Sequence, residues 1–411
     1  MISINKKIKS GFALLFASMI FISSCNKDPL EIPEEPQIPA TGSTLGDTLK
    51  SNADDSLYYR LVVRAGMANM LNVRSTSYTM FVPNNNAMKA FINAISAGAV
   101  PLTAPDAVFS GFITSSIPAT TAASIVGYNI IPQAVPSSNF GTVFPNLQYP
   151  TILNPAPSIS PLLRLTTFPS ARNGNWVNNV PLTSVDEKAA NGYIHHSLAL
   201  IAPPQRYLWD RINTDADLTY LKAAIQRADS GTAAPGYLQS ALLNIGANLT
   251  VFAPTDNAFK TALTGAIAQG LIRMGVPPAT ALTQATGLAS TPGVFQNPQL
   301  YSVLTAQTVQ GLVVYHLLGS RAFTNNFPTT PTNYPTLLNG VLTTHPGVQL
   351  SVTFGVPFPT AALVKGQENA TPSNIIINSS PLMPDPTGTS DQNYLNGVLH
   401  KIDQVLLPLP L

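Results

Sequence analysis

Leu-Thr-Val-Phe-Ala-Pro-Thr-Asp-Asn-Ala-Phe-Lys, residues 249–260, has a worn copy earlier in the chain, Tyr-Thr-Met-Phe-Val-Pro-Asn-Asn-Asn-Ala-Met-Lys, residues 78–89. Thr79 and Thr250, Phe81 and Phe252, Pro83 and Pro254, Asn86 and Asn257, Ala87 and Ala258, and Lys89 and Lys260 agree. Each copy reads as a short apolar strand stopped by a proline, which has no N–H for a sheet ladder. Thr255-Asp256 and Asn84-Asn85 then offer side-chain oxygens to the free N–H groups of a following helix. The unit predicted is strand, turn, capped helix, occurring twice.

Working outward, a helical pattern precedes each copy. Leu57, Tyr58, Leu61, Val62 and Ala65 share one face, as do Leu218, Leu221, Ala224, Ile225 and Ala228. Residues 230–237, Ser-Gly-Thr-Ala-Ala-Pro-Gly-Tyr, read as an extra surface loop in the second copy. Behind the motif, 257–274 continues as helix with Pro277-Pro278 as its stop, and 306–318 runs from helix toward strand through Tyr315-His316. The first copy has 121–131 there, with Tyr128-Asn129. Short β-like runs follow at 348–354 and 374–378. Each copy closes alike. Asn191-Gly192-Tyr193-Ile194-His195 leads to Leu200-Ile201-Ala202-Pro203, and Asn396-Gly397-Val398-Leu399-His400 leads to Leu406-Leu407-Pro408. Asn-Gly is read as a turn in which both residues tolerate positive φ.

The start of the chain has a different character. Lys6, Lys7 and Lys9 precede an apolar run, 11–22, too short to span a bilayer as a helix. Its end, Phe21-Ile22-Ser23-Ser24-Cys25, resembles a bacterial lipoprotein lipobox. The resemblance implies cleavage before Cys25 and acylation of Cys25. Cys25 is the only cysteine in the sequence, which excludes an intramolecular disulfide and a thiolate metal cluster. The residues behind it, with Glu31, Glu34 and Glu35, are similar to the export signal of surface lipoproteins in Bacteroidetes-type bacteria. Pro29, Pro33, Pro36 and Pro39 make this segment a stiff tether. The organisation expected is signal 1–24, tether 25–43, first domain 44–203 and second domain 204–411. The location expected is the outer membrane, lipid-anchored and facing the exterior.

The order Thr-Val-Phe-Ala-Pro-Thr-Asp-Asn-Ala-Phe, then Tyr-His, then Asn-Gly-Val-Leu-His with Leu-Leu-Pro strongly resembles the fasciclin-like domain. The second copy matches at all three landmarks, the first at the outer two. The resemblance implies an α+β fold in which two small β-sheets form a wedge with helices packed around it. It implies adhesion or matrix interaction, commonly by tandem domains. It also places Tyr315 and His316 at the Tyr-His position associated with partner binding in animal members, and the same residues have a structural reading as core. His195 and His400 are expected as partly buried, hydrogen-bonded histidines.

Without the signal lysines, 18 basic residues face 19 acidic ones, and no basic stripe exists for nucleic acid. Only 10% of residues are charged. No His-Glu-x-x-His, Gly-x-Ser-x-Gly, phosphate-binding Gly-Lys-Ser/Thr or Gly-x-Gly-x-x-Gly pattern is present. His195-His196 fall on opposite faces of a strand and cannot chelate one metal together. The expectation is therefore no enzyme, no cofactor and no metal. Asp186, Glu187, Glu368 and Asp391 are the carboxylates to examine for a glycosidase pair, which is defined only in space. The sequons at Asn248, Asn369 and Asn378 are read as incidental in a bacterial protein. The partner expected is an extracellular protein or glycan, met by aromatic and amide-rich loops with Tyr149, Trp176 and Tyr334 as candidate glycan contacts. The competing reading is an accessory protein or enzyme of surface polysaccharide processing, using a cleft between the domains.

Overall fold

In the first copy, α1 (Leu45–Ser51) and α2 (Ser56–Arg64) lead into β1 (Tyr78–Pro83), which is followed by α3 (Asn85–Ile95), α4 (Asp106–Ser116), α5 (Ala119–Tyr128) and β2 (Ile130–Ile131). A small ladder, β3 (Tyr149–Pro150) with β4 (Thr166–Thr167), precedes β5 (Pro169–Ser170), β6 (Trp176–Val177), β7 (Val180–Ala189) and β8 (Gly192–Ser197). The sheet runs β2-β1-β8-β7-β6-β5, with β1 and β8 parallel and the other pairs antiparallel.

The second copy repeats this frame. It comprises α6 (Leu208–Thr214), α7 (Thr219–Ala228), α8 (Tyr237–Leu243), β9 (Leu249–Pro254), α9 (Asp256–Arg273), α10 (Pro278–Leu288), α11 (Ala306–Tyr315) and β10 (Leu317–Leu318). Then come β11 (Thr332–Tyr334), β12 (Val348–Phe354), β13 (Pro359–Lys365), β14 (Ser373–Ile375), β15 (Gln392–Tyr394) and β16 (Gly397–Ile402). Its order is β10-β9-β16-β14-β13-β12-β11, with β15 also paired to β16. Again the central pair, β9 and β16, is parallel. This computed structural model describes residues 41–231, 235–380, 382 and 388–409. The signal, Cys25 and most of the tether lie outside the described residues, as do residues 232–234 of the loop expected at 230–237.

Strand alternation gives each copy a two-sided core. In the first, Met80 and Val82 of β1 face helix residues Leu61, Ile92 and Phe109, while Phe81 faces Tyr128, Val177 and Ile201. In the second, Val251 and Ala253 face Leu221, Phe259 and Phe295, while Phe252 faces Tyr315, Phe327 and Leu350. Each fully buried phenylalanine is worth roughly 2 kcal/mol of transfer free energy.

Three local readings are corrected by the geometry. Asn84 and Thr255 do cap the following helices, accepting from Ala87 N at 2.9 Å and Ala258 N at 3.2 Å. Asn85 and Asp256, however, reach back to the preceding helices, accepting from Leu57 N and Tyr220 N at 3.0 Å each. The helix ending at Arg273 is stopped by Gly275 at φ +89°, and Pro278 instead opens α10. The Asn-Gly pairs are not turns with two positive φ angles. The hairpin turns are Ala190-Asn191 and Leu395-Asn396, and the glycine is the first residue of the strand behind each. A Cβ on Gly192 would stand 1.8 Å from the Tyr78 carbonyl oxygen, and one on Gly397 2.4 Å from that of Leu249. The parallel neighbour strand passes too close for any side chain.

Candidate functional site

The repeated residues build one hydrogen-bond frame twice. Thr79 Oγ1 donates to Gln133 O at 2.8 Å and accepts from Val135 N at 2.7 Å. Thr250 Oγ1 does the same with Ser320 O at 2.6 Å and Ala322 N at 2.9 Å. Asn191 accepts from Leu45 N at 2.8 Å and donates to Leu71 O, and Asn396 accepts from Leu208 N at 3.0 Å and donates to Leu242 O. His195 Nε2 donates to Val135 O at 3.0 Å while its Nδ1 accepts from Asp186 N. His400 repeats this with Ala322 O at 2.8 Å and Asp391 N. Burial lowers the pKa of both rings, which stack on Phe81 and Phe252 respectively. The bonds fix both as neutral imidazoles protonated on Nε2.

The carboxylates singled out from sequence divide in the same way. Asp186 and Asp391 are one position in two copies, both in the left-handed region at φ +63° and +54°. Asp391 accepts from Thr324 N at 2.7 Å and Thr324 Oγ1 at 2.5 Å, and Asp186 accepts likewise from Ser137. Glu187 lies 3.7 Å from His196 Nε2, and Glu368 N bonds Leu407 O. His196 also meets Asp55 Oδ2 at 3.1 Å and Ser184 Oγ at 3.1 Å through its other nitrogen. This resembles a nucleophile relay, yet the second copy puts Lys401 there, 2.9 Å from Asp215 and 3.3 Å from Asp217. The shared element is a clamp between the central strand and the start of the preceding helix.

Tyr315 and His316 lie in the core, 0% and 2% exposed. The Tyr315 hydroxyl donates to Gly347 O at 2.7 Å and accepts from Gln367 N at 2.9 Å, and burial raises its pKa to about 12. His316 Nδ1 donates to Leu312 O at 2.8 Å and Nε2 accepts from Leu406 N at 2.9 Å, while burial lowers its pKa to about 4. A partner would reach either side chain only if this packing opened. In the first copy Asn129 donates to Ile125 O and Ile201 O, both at 2.9 Å, joining the helix to the copy's last segment as His316 does.

Of the three candidate glycan aromatics, Trp176 and Tyr334 face the other copy. Trp176 is 2% exposed and packs on Phe354 and Phe358. Tyr334 lies 4.2 Å from the Phe144 ring. Tyr149 packs on the sheet-side core of the first copy, its hydroxyl donating to Asn139 O at 3.0 Å. The three sequon asparagines also work internally. Asn248 accepts from Arg321, Asn369 bonds Val405 O and Leu407 N, and Asn378 N bonds Ser390 Oγ.

Sequence reasoning missed the seam between the copies. Residues 321–328 are all buried, and the loop Phe323-Thr324-Asn325-Asn326-Phe327 is pressed against the first copy. Phe168 lies 5.9 Å from Phe323 and shares a cluster with Val398. Asn173 donates to Asn325 O and Phe327 O at 3.0 Å, and Ser170 donates to Asn326 Oδ1 at 2.9 Å. Arg321, 3% exposed, donates to Asn248 Oδ1 at 3.0 Å, Asn393 Oδ1 at 2.6 Å, Tyr394 O at 3.1 Å and Leu395 O at 3.3 Å. Its guanidinium sits 5.1 Å from the Phe168 ring centroid. Burial lowers its pKa to about 10, so it stays charged at neutral pH. Asn393 in turn donates to the Tyr128 hydroxyl at 3.1 Å, which closes the network across the seam. The signal was present: aligning Thr324 with Ser137 sets Arg321 against Ala134.

Two hollows open at this seam. The larger, about 730 Å³, lies among Phe112 and Ile125 of the first copy, the connector at Ile201–Arg206, and Asn393 and Tyr394 of the second. Its lining mixes apolar side chains with amides and hydroxyls. The smaller, about 230 Å³, lies among Trp176, Asn325, Phe358 and Asp391. Among the described residues no cluster of three or more histidine, cysteine or carboxylate ligands forms a metal site, and no helix is long and apolar enough to cross a membrane.

Comparison with known proteins agrees with the first copy's frame. Residues 54–197 match the family model described as Fasciclin domain. No curated protein matches the chain. Among solved structures, a FAS1 domain pair from the insect cell adhesion molecule fasciclin I is similar at 13% identity, over 85% of this chain and 95% of that one, with a TM-score of 0.32. Residues 54–197 thus match the Fasciclin domain by sequence, within an α+β protein whose second copy repeats that stretch's central strand order, β2-β1-β8 against β10-β9-β16, and its buried hydrogen bonds.

Proposed function

We propose that this chain is a non-catalytic adhesion protein of a bacterial cell surface, anchored by lipid at Cys25, that holds an extracellular protein or glycan at the seam of its two copies. The observation that carries the reading is the 730 Å³ cleft beside the connector, walled by both copies and lined by apolar and amide groups. Recognition sites of this kind combine apolar area with a few orienting polar groups. The reading gains support from the fasciclin match over 54–197, since fasciclin domains are generally adhesive. It also fits the internal work found for Asp186, Asp391, His195 and His400, each held by its own copy's backbone.

The test is retention on arrays of glycans and matrix proteins, with assay of the same glycans for new reducing ends. Saturable retention without turnover is expected. Reducing ends released in proportion to protein would replace adhesion by polysaccharide processing.

A further inference from the structure

The connector between the copies is held at its two ends and left open between them. Ile201 O accepts from Asn129 Nδ2 at 2.9 Å, and Arg206 O accepts from Leu395 N at 2.9 Å. Among the described residues, no hydrogen bond engages the backbone of residues 202–205. That stretch, Ala-Pro-Pro-Gln, lines the 730 Å³ cleft with its carbonyls and with the N–H groups of Ala202 and Gln205, the prolines having none. Unpaired main chain along a groove can hydrogen-bond the main chain of a bound peptide, whose side chains then supply specificity.

The side chains around this strip are open to solvent. Ile95 is 47% exposed, Phe112, Pro203 and Pro204 are half-buried, and Gln205 and Arg206 are exposed. Phe91 and Tyr394 are buried, so a sugar meets no open ring face beyond part of Phe112, whereas apolar side chains of a peptide find open apolar area. Arg206 Nη2 donates to Asp210 O at 3.1 Å and Thr214 Oγ1 at 3.0 Å, and among the described residues its Nε and Nη1 meet no acceptor. Behind Asn393 and Tyr394 of the lining lies Arg321, whose acceptors are all uncharged, two amide oxygens and two backbone carbonyls. Asp391 is the one carboxylate of the lining, and both its oxygens accept from Thr324. Two cations against one anion favour a ligand of negative charge.

We infer that the cleft takes a peptide segment of a partner protein that combines acidic and apolar residues. Its main chain pairs with residues 202–205, its apolar side chains pack on Ile95 and Phe112, and a carboxylate meets the open side of the Arg206 guanidinium. A guanidinium with free N–H groups on one edge suits a carboxylate, which accepts two parallel bonds. The inference rests on the adhesive reading and names the chemistry of its partner.

The experiment pans a random peptide display library on the full chain and titrates the enriched peptides by calorimetry into wild type, Arg206→Gln and Ile95→Ser. Both residues are exposed, so both variants should keep the wild-type melting temperature; if Arg206→Gln lowers it, Ile95→Ser decides. Oligogalacturonate is titrated alongside as an acidic glycan. Enriched peptides that carry Asp or Glu beside apolar residues, with binding weakened about tenfold or more by each variant, support the assignment. It is overturned if no peptide is enriched, if the enriched peptides lack acidic residues, or if both variants bind them as wild type does. Binding of oligogalacturonate that depends on Arg206, with no peptide bound, also overturns it. If array retention of glycans or matrix proteins survives while the peptide result is negative, the adhesive reading stands and only this assignment falls. If array retention is absent as well, both fall.

Discussion

His196 Nε2 lies 3.1 Å from Oδ2 of the fully buried Asp55, and in the second copy Lys401 stands at the same strand position against Asp215 and Asp217. The Asp55 hydrogen bond, the largest influence, raises the pKa of His196. A raised histidine stabilises the fold fully below its unfolded value of about 6.5. That stabilisation is lost as pH rises through the folded value, leaving Asp55 buried beside a neutral ring. The melting temperature should therefore decline over that window. In His196→Lys the decline should disappear, because lysine remains charged there. Calorimetry at stepped pH checks this.

The buried neutral histidines act in the opposite direction. His316 has its pKa lowered to about 4, and His195 and His400 are lowered as well, in each case mainly by burial. The unfolded chain binds these protons first, so stability falls as pH drops from about 6.5 toward about 4. His316 alone accounts for a loss of roughly 3 kcal/mol by pH 4, of which about 2 kcal/mol is already gone at pH 5. His316→Asn, copying Asn129, should lessen that acid loss while costing about 1 kcal/mol at neutral pH. Urea midpoints at pH 7 and pH 5 give both numbers.

Gly192→Ala and Gly397→Ala should each destabilise their copy by about 3 kcal/mol or more, because the new Cβ meets the neighbour strand's carbonyl oxygen. Alanine at Gly265, where a Cβ meets open space in the middle of α9, should instead stabilise by about 0.5–1 kcal/mol. Denaturant titration of the three variants ranks them.

Arg321→Ala removes a buried cation from Asn248, Asn393 and two backbone carbonyls at once. A cost of about 3 kcal/mol is expected, together with a split of one calorimetric transition into two as the copies uncouple. Arg321→Lys keeps the charge but not the planar fork, and should fall between.

Cys25→Ser should abolish acyl labelling and either release the protein or stall its processing. Labelling unchanged from wild type would remove the anchor from the proposed function.

The α+β frame was legible in sequence because its residues repeat. Thr79 and Thr250, Phe81 and Phe252, and His195 and His400 recur at matching landmarks, and strand, proline and cap chemistry are local. What escaped were interactions that depend on distance in space. Gly192 and Gly397 looked like turn residues because a neighbouring carbonyl 1.8 or 2.4 Å from a Cβ that is not there leaves no local mark. Trp176 and Tyr334 looked like exposed loop aromatics because only docking of the copies buries them. Arg321 and Asn325 occur once, so searching for recurrence passed over the residues that make the seam.

The Arg321 network also gives the molecule mechanical character. With Phe168, Phe323 and the 321–328 loop packed between the copies, there is no slack joint at the connector. A load applied at one copy is carried into the other as torque on a single body. Two bead-like domains on a string would yield at the string; here the seam contacts brace the string, so force on one copy is expected to reach the other through them.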